Sequence, residues 1–268
     1  METTPLRDKV VIVIGAGSSG PGWGNGKACA VSYARAGAKV IAADVSIDAA
    51  NETAHLITSE GGTAHAFQVN VTQSDQLKQL ADDTVSRWGR IDVLHYNVGI
   101  AVLGGCVDLS EDDWNRVFQV NVSGCFLSCK HVLPVMERQG SGVILATGSI
   151  VGIRWSGVDY ISYSTTKAAL INFMRAVAMR YAKSGLRAVS ILPGLMNTPI
   201  IYSSRLQDAY SEGDEDQMVA IRDAQCPTGK MGDAWDVANA AVFLASDAAK
   251  YITATELVVD GGITAKFM

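Results

Sequence analysis

Charge is scarce in this chain: charged residues make up 18% of its 268 positions, while hydrophobic residues make up 48%. That balance excludes a disordered polymer, which needs the reverse. Basic residues are the minority, with 22 Lys and Arg against 27 Asp and Glu, and the net charge is −5. A nucleic-acid binder carries a basic stripe, and none is found. Long apolar runs are also missing. The N-terminal one, Val10 to Ile14, ends after five residues at glycine, far short of the roughly 20 that span a bilayer and unlike a secretory leader. A soluble, cytoplasmic protein without membrane or nucleic-acid partners is therefore expected. Only six prolines occur, and the five cysteines are odd in number, which excludes a paired disulfide framework. Cys125 and Cys129 with nearby His131 share one helix face, but no Cys-x-x-Cys pair or second His cluster completes a ligand set. They are taken as small hydrophobes, and no metal site is expected.

What is present is alternation. Short β-rich runs at Val10–Ile14, Lys39–Ala43, Ala64–Val69, Val93–His95, Gly142–Thr147, Arg187–Leu192 and Glu256–Val259 are separated by helical patterns. Those patterns cover about 24–37, 47–60, 73–89, 111–137, 160–184 and 233–246. Apolar strands alternating with helices imply a parallel sheet covered on both faces. Right-handed crossovers make it doubly wound. The expected fold class is α/β, a Rossmann-like doubly wound parallel sheet in a single domain over 1–268. One stretch, about 197–231, breaks the rhythm with Pro199, Pro227 and the acids Glu212, Asp214, Glu215 and Asp216. It follows a strand's carboxyl end, where open α/β sheets bind ligands, and is expected to be a substrate lid with a solvated acidic tip.

The first strand runs into Gly15-Ala16-Gly17-Ser18-Ser19-Gly20-Pro21-Gly22-Trp23-Gly24-Asn25-Gly26-Lys27-Ala28. Glycines let backbone approach a phosphate, and the free N–H groups of a helix start attract the anion. A P-loop fails here. Pro21 stands where its first glycine is required, and Ala28 where its hydroxyl is required. A dinucleotide loop survives, with Gly15, Gly24 and Gly26 as its glycines and Gly17, Ser19 and Asn25 beside them. Asp44 closes strand two, 18 residues after Gly26. A carboxylate there bonds both ribose hydroxyls and repels a 2′-phosphate. Val45 and Ser46 add no compensating base, so NAD is expected over NADP.

Tyr163 and Lys167 lie four apart and share a helix face. A phenol has a pKa of about 10, and a neighbouring cation favours its phenolate. Ser149 lies 14 residues before Tyr163, at the end of a strand. With these residues in place the chain resembles the short-chain dehydrogenase/reductase family over essentially its whole length. The resemblance rests on Gly24-Asn25-Gly26-Lys27-Ala28, Asp92-Val93-Leu94, Asn97-Val98-Gly99, Asn121-Val122, Ser149, Tyr163-x-x-x-Lys167, Pro193-Gly194 and Val259-Asp260-Gly261-Gly262, in the family's order.

The resemblance implies Tyr163 as general acid/base and Lys167 as the cation that lowers its pKa and binds the nicotinamide ribose. It implies Ser149 as the group polarising the substrate oxygen and Asn121 as holder of a water on the proton path. It further implies cofactor contacts at Asn70 and Val71 beside adenine and at Asn97 and Gly99 over adenosine. Pro193, Gly194, Met196 and Thr198 would lie around nicotinamide. The implied reaction is NAD-dependent interconversion of a secondary alcohol and a ketone, and the implied assembly is a homotetramer packed through 111–137, 160–184 and 233–268.

Three departures from the family stand out. Gly15 to Gly24 spans nine positions rather than four, which leaves the phosphate-binding amides open. Tyr96 replaces the first Asn of Asn-Asn-Ala-Gly, and Asn70 replaces the usual Asp. Two rival functions are an enoyl-thioester reductase, whose Tyr-x6-Lys spacing Tyr160 and Lys167 also satisfy, and a non-catalytic NAD(H) sensor. In the carried-over topology Val98, Ile150, Val151, Ile153, Trp155, Leu195, Ile200 and Tyr202 surround the reacting carbon, implying an apolar aryl or cyclic substrate. His95 faces either the cleft or the layer under the sheet. Arg154 is either an anion contact or a surface residue, and Cys106 has no activating partner.

Overall fold

The computed structural model describes residues 4–202 and 214–266. Its seven strands are β1 (Val10–Ile14), β2 (Lys39–Asp44), β3 (Thr63–Gln68), β4 (Val93–Tyr96), β5 (Gly142–Thr147), β6 (Leu186–Pro193) and β7 (Thr255–Val259). They form one sheet in the order β3-β2-β1-β4-β5-β6-β7. Every pairing is parallel. The described helices are α1 (Asn25–Arg35), α2 (Ile47–Ser59), α3 (Ser74–Trp88), α4 (Glu111–Phe118), α5 (Gly124–Gln139), α6 (Ile161–Tyr181), α7 (Glu215–Gln225) and α8 (Ala234–Ala245). The chain winds outward from β1 in both directions, so the crevice between the carboxyl ends of β1 and β4 is the switch point that receives ligands in such sheets.

Strand periodicity explains why both faces are apolar. On β1, Val11 and Val13 enter one core with Ala28, Val31 and Tyr33 of α1 and Val237, Ala238 and Ala241 of α8. Ile12 and Ile14 enter the opposite core with Leu77 and Leu80 of α3, Cys125 and Cys129 of α5, and Leu170 and Met174 of α6. The two thiols are thus core residues, and His131 Nε2 instead meets Ser74 Oγ at 3.0 Å. Small side chains on α1 and α8 let those helices pack closely. Helix α8 is held at its start by a capping box between Asp233 and Asp236.

Two expectations need correction. The helical pattern 111–137 is two helices joined by a wider π turn, Gln119–Ser123. Within that turn the Tyr96 phenol donates to the Val120 carbonyl. The 197–231 segment also contains helix α7, started by an Asp214 carboxylate that accepts from Gln217 N at 3.0 Å. The acids expected at a tip therefore form a helix start. Glu212 and the middle of the expected lid lie outside the described residues.

Asp92 secures the entrance to the sheet. Its Oδ2 accepts from Val10 N at 2.9 Å, and the Arg90 guanidinium grips both oxygens at 2.8 and 2.6 Å. Asp92 is 4% exposed. Asp92→Ala leaves a buried N–H unpaired and should cost about 1–3 kcal/mol, seen as a lower urea midpoint with an unchanged m-value.

Candidate active site

The glycine loop leaves β1 at the switch point. Gly15 has φ of +80°, a conformation open to glycine. A Cβ on Gly26 would lie 1.8 Å from the Gly15 carbonyl oxygen and 2.5 Å from Asn97 Nδ2. No side chain fits there. Gly24 packs back on Gly17 and Ser18, with its Cβ position 3.3 Å from Gly17 O. The stem of the loop, Gly15–Gly17 and Gly24–Gly26, is therefore closed, and the additional residues bulge outward from it. No side chain caps α1 at Gly24, which leaves first-turn N–H groups open to an anion.

Asp44 reaches into this stem. Its Oδ2 accepts from Gly17 N at 2.9 Å and its Oδ1 from Ser46 N at 3.0 Å. A carboxylate has about four acceptor sites, so capacity for ribose hydroxyls remains. Asn97 donates through Nδ2 to Gly15 O at 3.1 Å. Asn70 turns toward its own loop, where its Oδ1 accepts from Thr72 N and Thr72 Oγ1 at 3.0 and 2.9 Å. Val71 is buried against Gly124. Ser19 lies on the bulge and lines a cavity of about 370 Å³ with Pro199, Ile200 and Tyr202.

Tyr163 and Lys167 stand on one face of α6. Ser149 stands at the turn after β5, close enough for its hydroxyl to act on the Tyr163 phenol. Its Oγ also accepts from Val151 N at 3.3 Å, which fixes the short turn Ile150–Gly152. Lys167 is 2% exposed. Its Nζ donates to Thr147 O at 2.7 Å and lies 5.5 Å from the Tyr163 ring centre. Burial lowers the ammonium from 10.5 to about 8. Burial also pushes the Tyr163 phenol above its ordinary value, and the Ser149 hydroxyl opposes that rise.

Asn121 sits in the π turn and is fully buried. Its Oδ1 accepts from Ile100 N at 2.8 Å, and its Nδ2 donates to Ile100 O and Thr166 Oγ1 at 2.9 and 3.0 Å. The side chain thus clamps the segment after β4 to α6. Gly99 fits between, its Cβ position 3.0 Å from Lys167 Nζ. Thr166 and Thr147 were not singled out from sequence. Both are hydroxyls beside the expected residues, one step from Lys167 and two from Ser149.

Of the expected pocket residues, Ile150 is buried with Ile171 and Leu192 in a small core cluster, and Ile153 packs against it while staying partly exposed. Leu195, also partly exposed, packs against Ile201, Met218 and Met231. Met196 is buried against Gly232. Trp155 is 71% exposed. Tyr202 and Thr198, with Trp23 of the loop, line a second cavity of about 310 Å³. Pro193 ends β6, and Gly194 N donates to Val259 O at 2.9 Å. Arg154 is exposed, its Nε 3.4 Å from Thr264 O. Tyr160 precedes α6 and meets the Tyr163 ring edge-on at 5.8 Å. His95 is fully buried under the sheet.

A family model described as enoyl-(acyl carrier protein) reductase matches residues 21–264. The cyclohexanol dehydrogenase of Acinetobacter sp. (strain SE19) is 32% identical over 263 residues, 97% of each chain. A structure assigned to the short-chain dehydrogenases/reductases, from Burkholderia xenovorans, superposes with TM-score 0.94 at 43% identity, covering 99% of this chain and 100% of that one. Another, assigned as an NAD(P)-dependent gluconate 5-dehydrogenase from Beutenbergia cavernae and holding NADP, gives TM-score 0.87 at 30% identity over 98% and 100%. The chain belongs to the short-chain dehydrogenase/reductase family.

It is accordingly an oxidoreductase of the short-chain type, a family that binds nicotinamide cofactors. The residues present fit such a group. Uncapped α1 N–H groups, the close approach of Gly26 to the Gly15 carbonyl and a carboxylate at the end of β2 lie along one edge. Asn25 Oδ1 is buried there without a partner. Among the described residues no helix is long and apolar enough to cross a membrane.

Two tests follow. Gly26→Ala should weaken NADH or NADPH binding more than tenfold in a fluorescence titration, because the methyl group displaces the Gly15 carbonyl. For Lys167, the folded state disfavours the ammonium, so the unfolded chain holds more protons between pH 8 and 10.5. Stability contributed at this position should rise with pH through that window. Lys167→Met should remove the rise in urea unfolding measured across it.

Proposed function

We propose that this short-chain oxidoreductase interconverts a secondary alcohol and a ketone with NAD(H), on an apolar cyclic or aryl substrate. The observation that carries the proposal is the grouping of three side chains: Lys167 Nζ lies 5.5 Å from the Tyr163 ring centre and is held by the carbonyl of Thr147, two residues before Ser149, whose hydroxyl acts on the same phenol. Two donors meeting at one point suit an oxygen that alternates between hydroxyl and carbonyl. When bound, the cofactor accepts or delivers hydride at nicotinamide C4, and its oxidised ring adds positive charge to the site. Tyr163 then takes the hydroxyl proton during oxidation and returns it during reduction. Ser149 holds the substrate oxygen. Lys167, poised near neutrality by burial, passes the proton onward. Because both Asn121 amide hydrogens are engaged, a water on that route would rest on its main chain.

The NAD preference rests on Asp44. A 2′-phosphate would meet its carboxylate, and like-charge contact costs several kcal/mol. Lys27, the cation on the adjoining helix, is committed to Glu52 at 2.6 Å. A cyclic apolar substrate draws support from the similarity to a cyclohexanol dehydrogenase. A homotetramer fits the exposed Trp114, Phe126 and Met179 on the α4–α5 and α6 faces.

The description of the matching family model favours a second reading, an enoyl-thioester reductase using Tyr160. Its ring stands beside Tyr163, so both phenols are near the site. Purified enzyme assayed with cyclohexanols, aryl carbinols and enoyl thioesters, with each cofactor, separates the two. The expected result is alcohol oxidation with NAD⁺ at least about 100-fold faster than with NADP⁺. Tyr163→Phe should reduce it roughly 10²–10⁴-fold, and Tyr160→Phe by less than about fivefold. Loss confined to Tyr160→Phe, with turnover of enoyl substrates, would establish the rival.

A further inference from the structure

A chain of buried hydrogen bonds runs beneath the active site, apart from the catalytic residues. Tyr33 of α1 meets His95 Nδ1 through its hydroxyl at 3.0 Å. His95 Nε2 meets Thr147 Oγ1 at 2.9 Å. Thr147 Oγ1 donates to Asn97 Oδ1 at 2.9 Å, and Asn97 Nδ2 donates to Gly15 O at 3.1 Å. The same Thr147 offers its main-chain carbonyl to Lys167 Nζ at 2.7 Å. His95 and Tyr33 are wholly buried, and Thr147 is 6% exposed.

The direction of every bond can be worked out from its ends. Gly15 O only accepts, so the nitrogen of the Asn97 carboxamide faces it and the oxygen faces Thr147. The single Thr147 hydroxyl proton is therefore spent on Asn97. Thr147 must accept from His95, which places the imidazole proton on Nε2. His95 Nδ1 is then an acceptor and takes the Tyr33 proton. Burial holds the imidazole neutral, with its pKa lowered to about 3, so this one tautomer persists.

We propose that His95 is a positioning residue: through Thr147 it orients the Asn97 carboxamide against the Gly15 carbonyl, and so holds the cofactor-binding turn in register with the Lys167 end of the site. Geometry at both ends supports the assignment. The Gly15 carbonyl is the group that a Cβ on Gly26 would strike, so its direction sets where α1 and its anion-binding N–H groups begin. At the other end, Thr147 is the last residue of β5, immediately before the turn that carries Ser149. A Thr147 without a donor from His95 loses the reason for its rotamer. Asn97 is then free to flip, and the Gly15 carbonyl loses its partner. The proposal rests on the family's nicotinamide cofactor and is independent of the choice between NAD and NADP.

The test is fluorescence titration with NADH and NADPH, alongside thermal midpoints, for wild type and five variants. His95→Leu and Thr147→Val should each weaken the preferred cofactor about tenfold. His95→Gln, whose amide N–H can occupy the place of Nε2–H, and Thr147→Ser should bind within about threefold of wild type. Tyr33→Phe removes only the far end and should lower the thermal midpoint while leaving cofactor affinity within about twofold. If His95→Leu fails to fold, the near-isosteric Thr147→Val carries the comparison. Wild-type affinity in folded Thr147→Val, or no recovery in His95→Gln at a thermal midpoint equal to that of wild type, would overturn the proposal. A preference for NADPH would sink the Asp44 reading and leave this one standing. A wild type that bound neither cofactor would overturn both.

Discussion

Helix α1 can begin where it does because residue 26 has no side chain. The Gly15 carbonyl fills the volume a Cβ would need, and this contact brings the first strand, the first helix and the segment after β4 to one point. Everything at the ligand-binding edge is measured from there. Asp44 reaches the loop because Gly17 admits its oxygen, with a Cβ position only 2.9 Å away. Asn97 reaches it because β4 lies beside β1 with Asn97 N bonded to Ile14 O. The parallel sheet supplies rigidity, since both its faces are covered and its central strands have no solvent-facing side. A strand order that reverses at β1 then opens a crevice at the carboxyl edge.

A tension runs through the catalytic half of that crevice. Burial raises the Tyr163 phenol and lowers the Lys167 ammonium, so the same desolvation works against a phenolate and toward a neutral amine. Hydrogen bonds offset it locally: Ser149 supports the phenolate, and the Thr147 carbonyl holds the lysine. A positive charge bound beside the pair would work in the same direction as the Ser149 hydroxyl, toward the phenolate. The π turn has a related logic. It breaks a helix that would otherwise run from 111 to 139, and the break points Asn121 inward, where it ties Ile100 to Thr166. Tyr96 donates to the Val120 carbonyl within the break.

Much of this was legible in the residues because the relevant signals are short-range. Strand runs such as Val10–Ile14 and Gly142–Thr147 have the length and apolar continuity that a doubly covered strand demands, and the structure places them with the same limits. The order of the Gly, Asp, Ser, Tyr and Lys motifs places them at one edge of one sheet. What escaped was decided by contacts between distant segments. In the π turn, the Val120 carbonyl accepts from Tyr96, about 25 positions away in the sequence. Helix α7 lacks strong apolar periodicity and is called into being by the Asp214 cap and by Met218 packing against Ile201 and Met231. Ile150, Ile153 and Leu195 stand next to chemistry-bearing positions, yet sequence adjacency says nothing of which way a side chain turns: Ile150 is buried, while the other two pack against core clusters and stay partly exposed.

The glycine loop shows how a departure from a family pattern can leave its chemistry intact. Extra residues inserted between Gly17 and Gly24 would disrupt the phosphate-facing turn if they lengthened the stem. The stem instead closes on itself, and the insertion extends toward Pro199, whose ring atoms lie 3.5 Å from the Cβ positions of Gly20 and Gly22. Trp23 anchors it by packing on Trp235 of α8 with ring centres 4.6 Å apart. Lys27 lies 5.2 Å from the same ring and is tied to Glu52 of α2. The insertion therefore touches the segment after β6 as well as Lys27 of α1, whose Nζ donates to Gly22 O at 3.4 Å. The glycine loop thus also forms a wall of the cavities around Tyr202. Any substrate that enters those cavities meets aromatic and proline surfaces contributed by both the loop and the segment after β6.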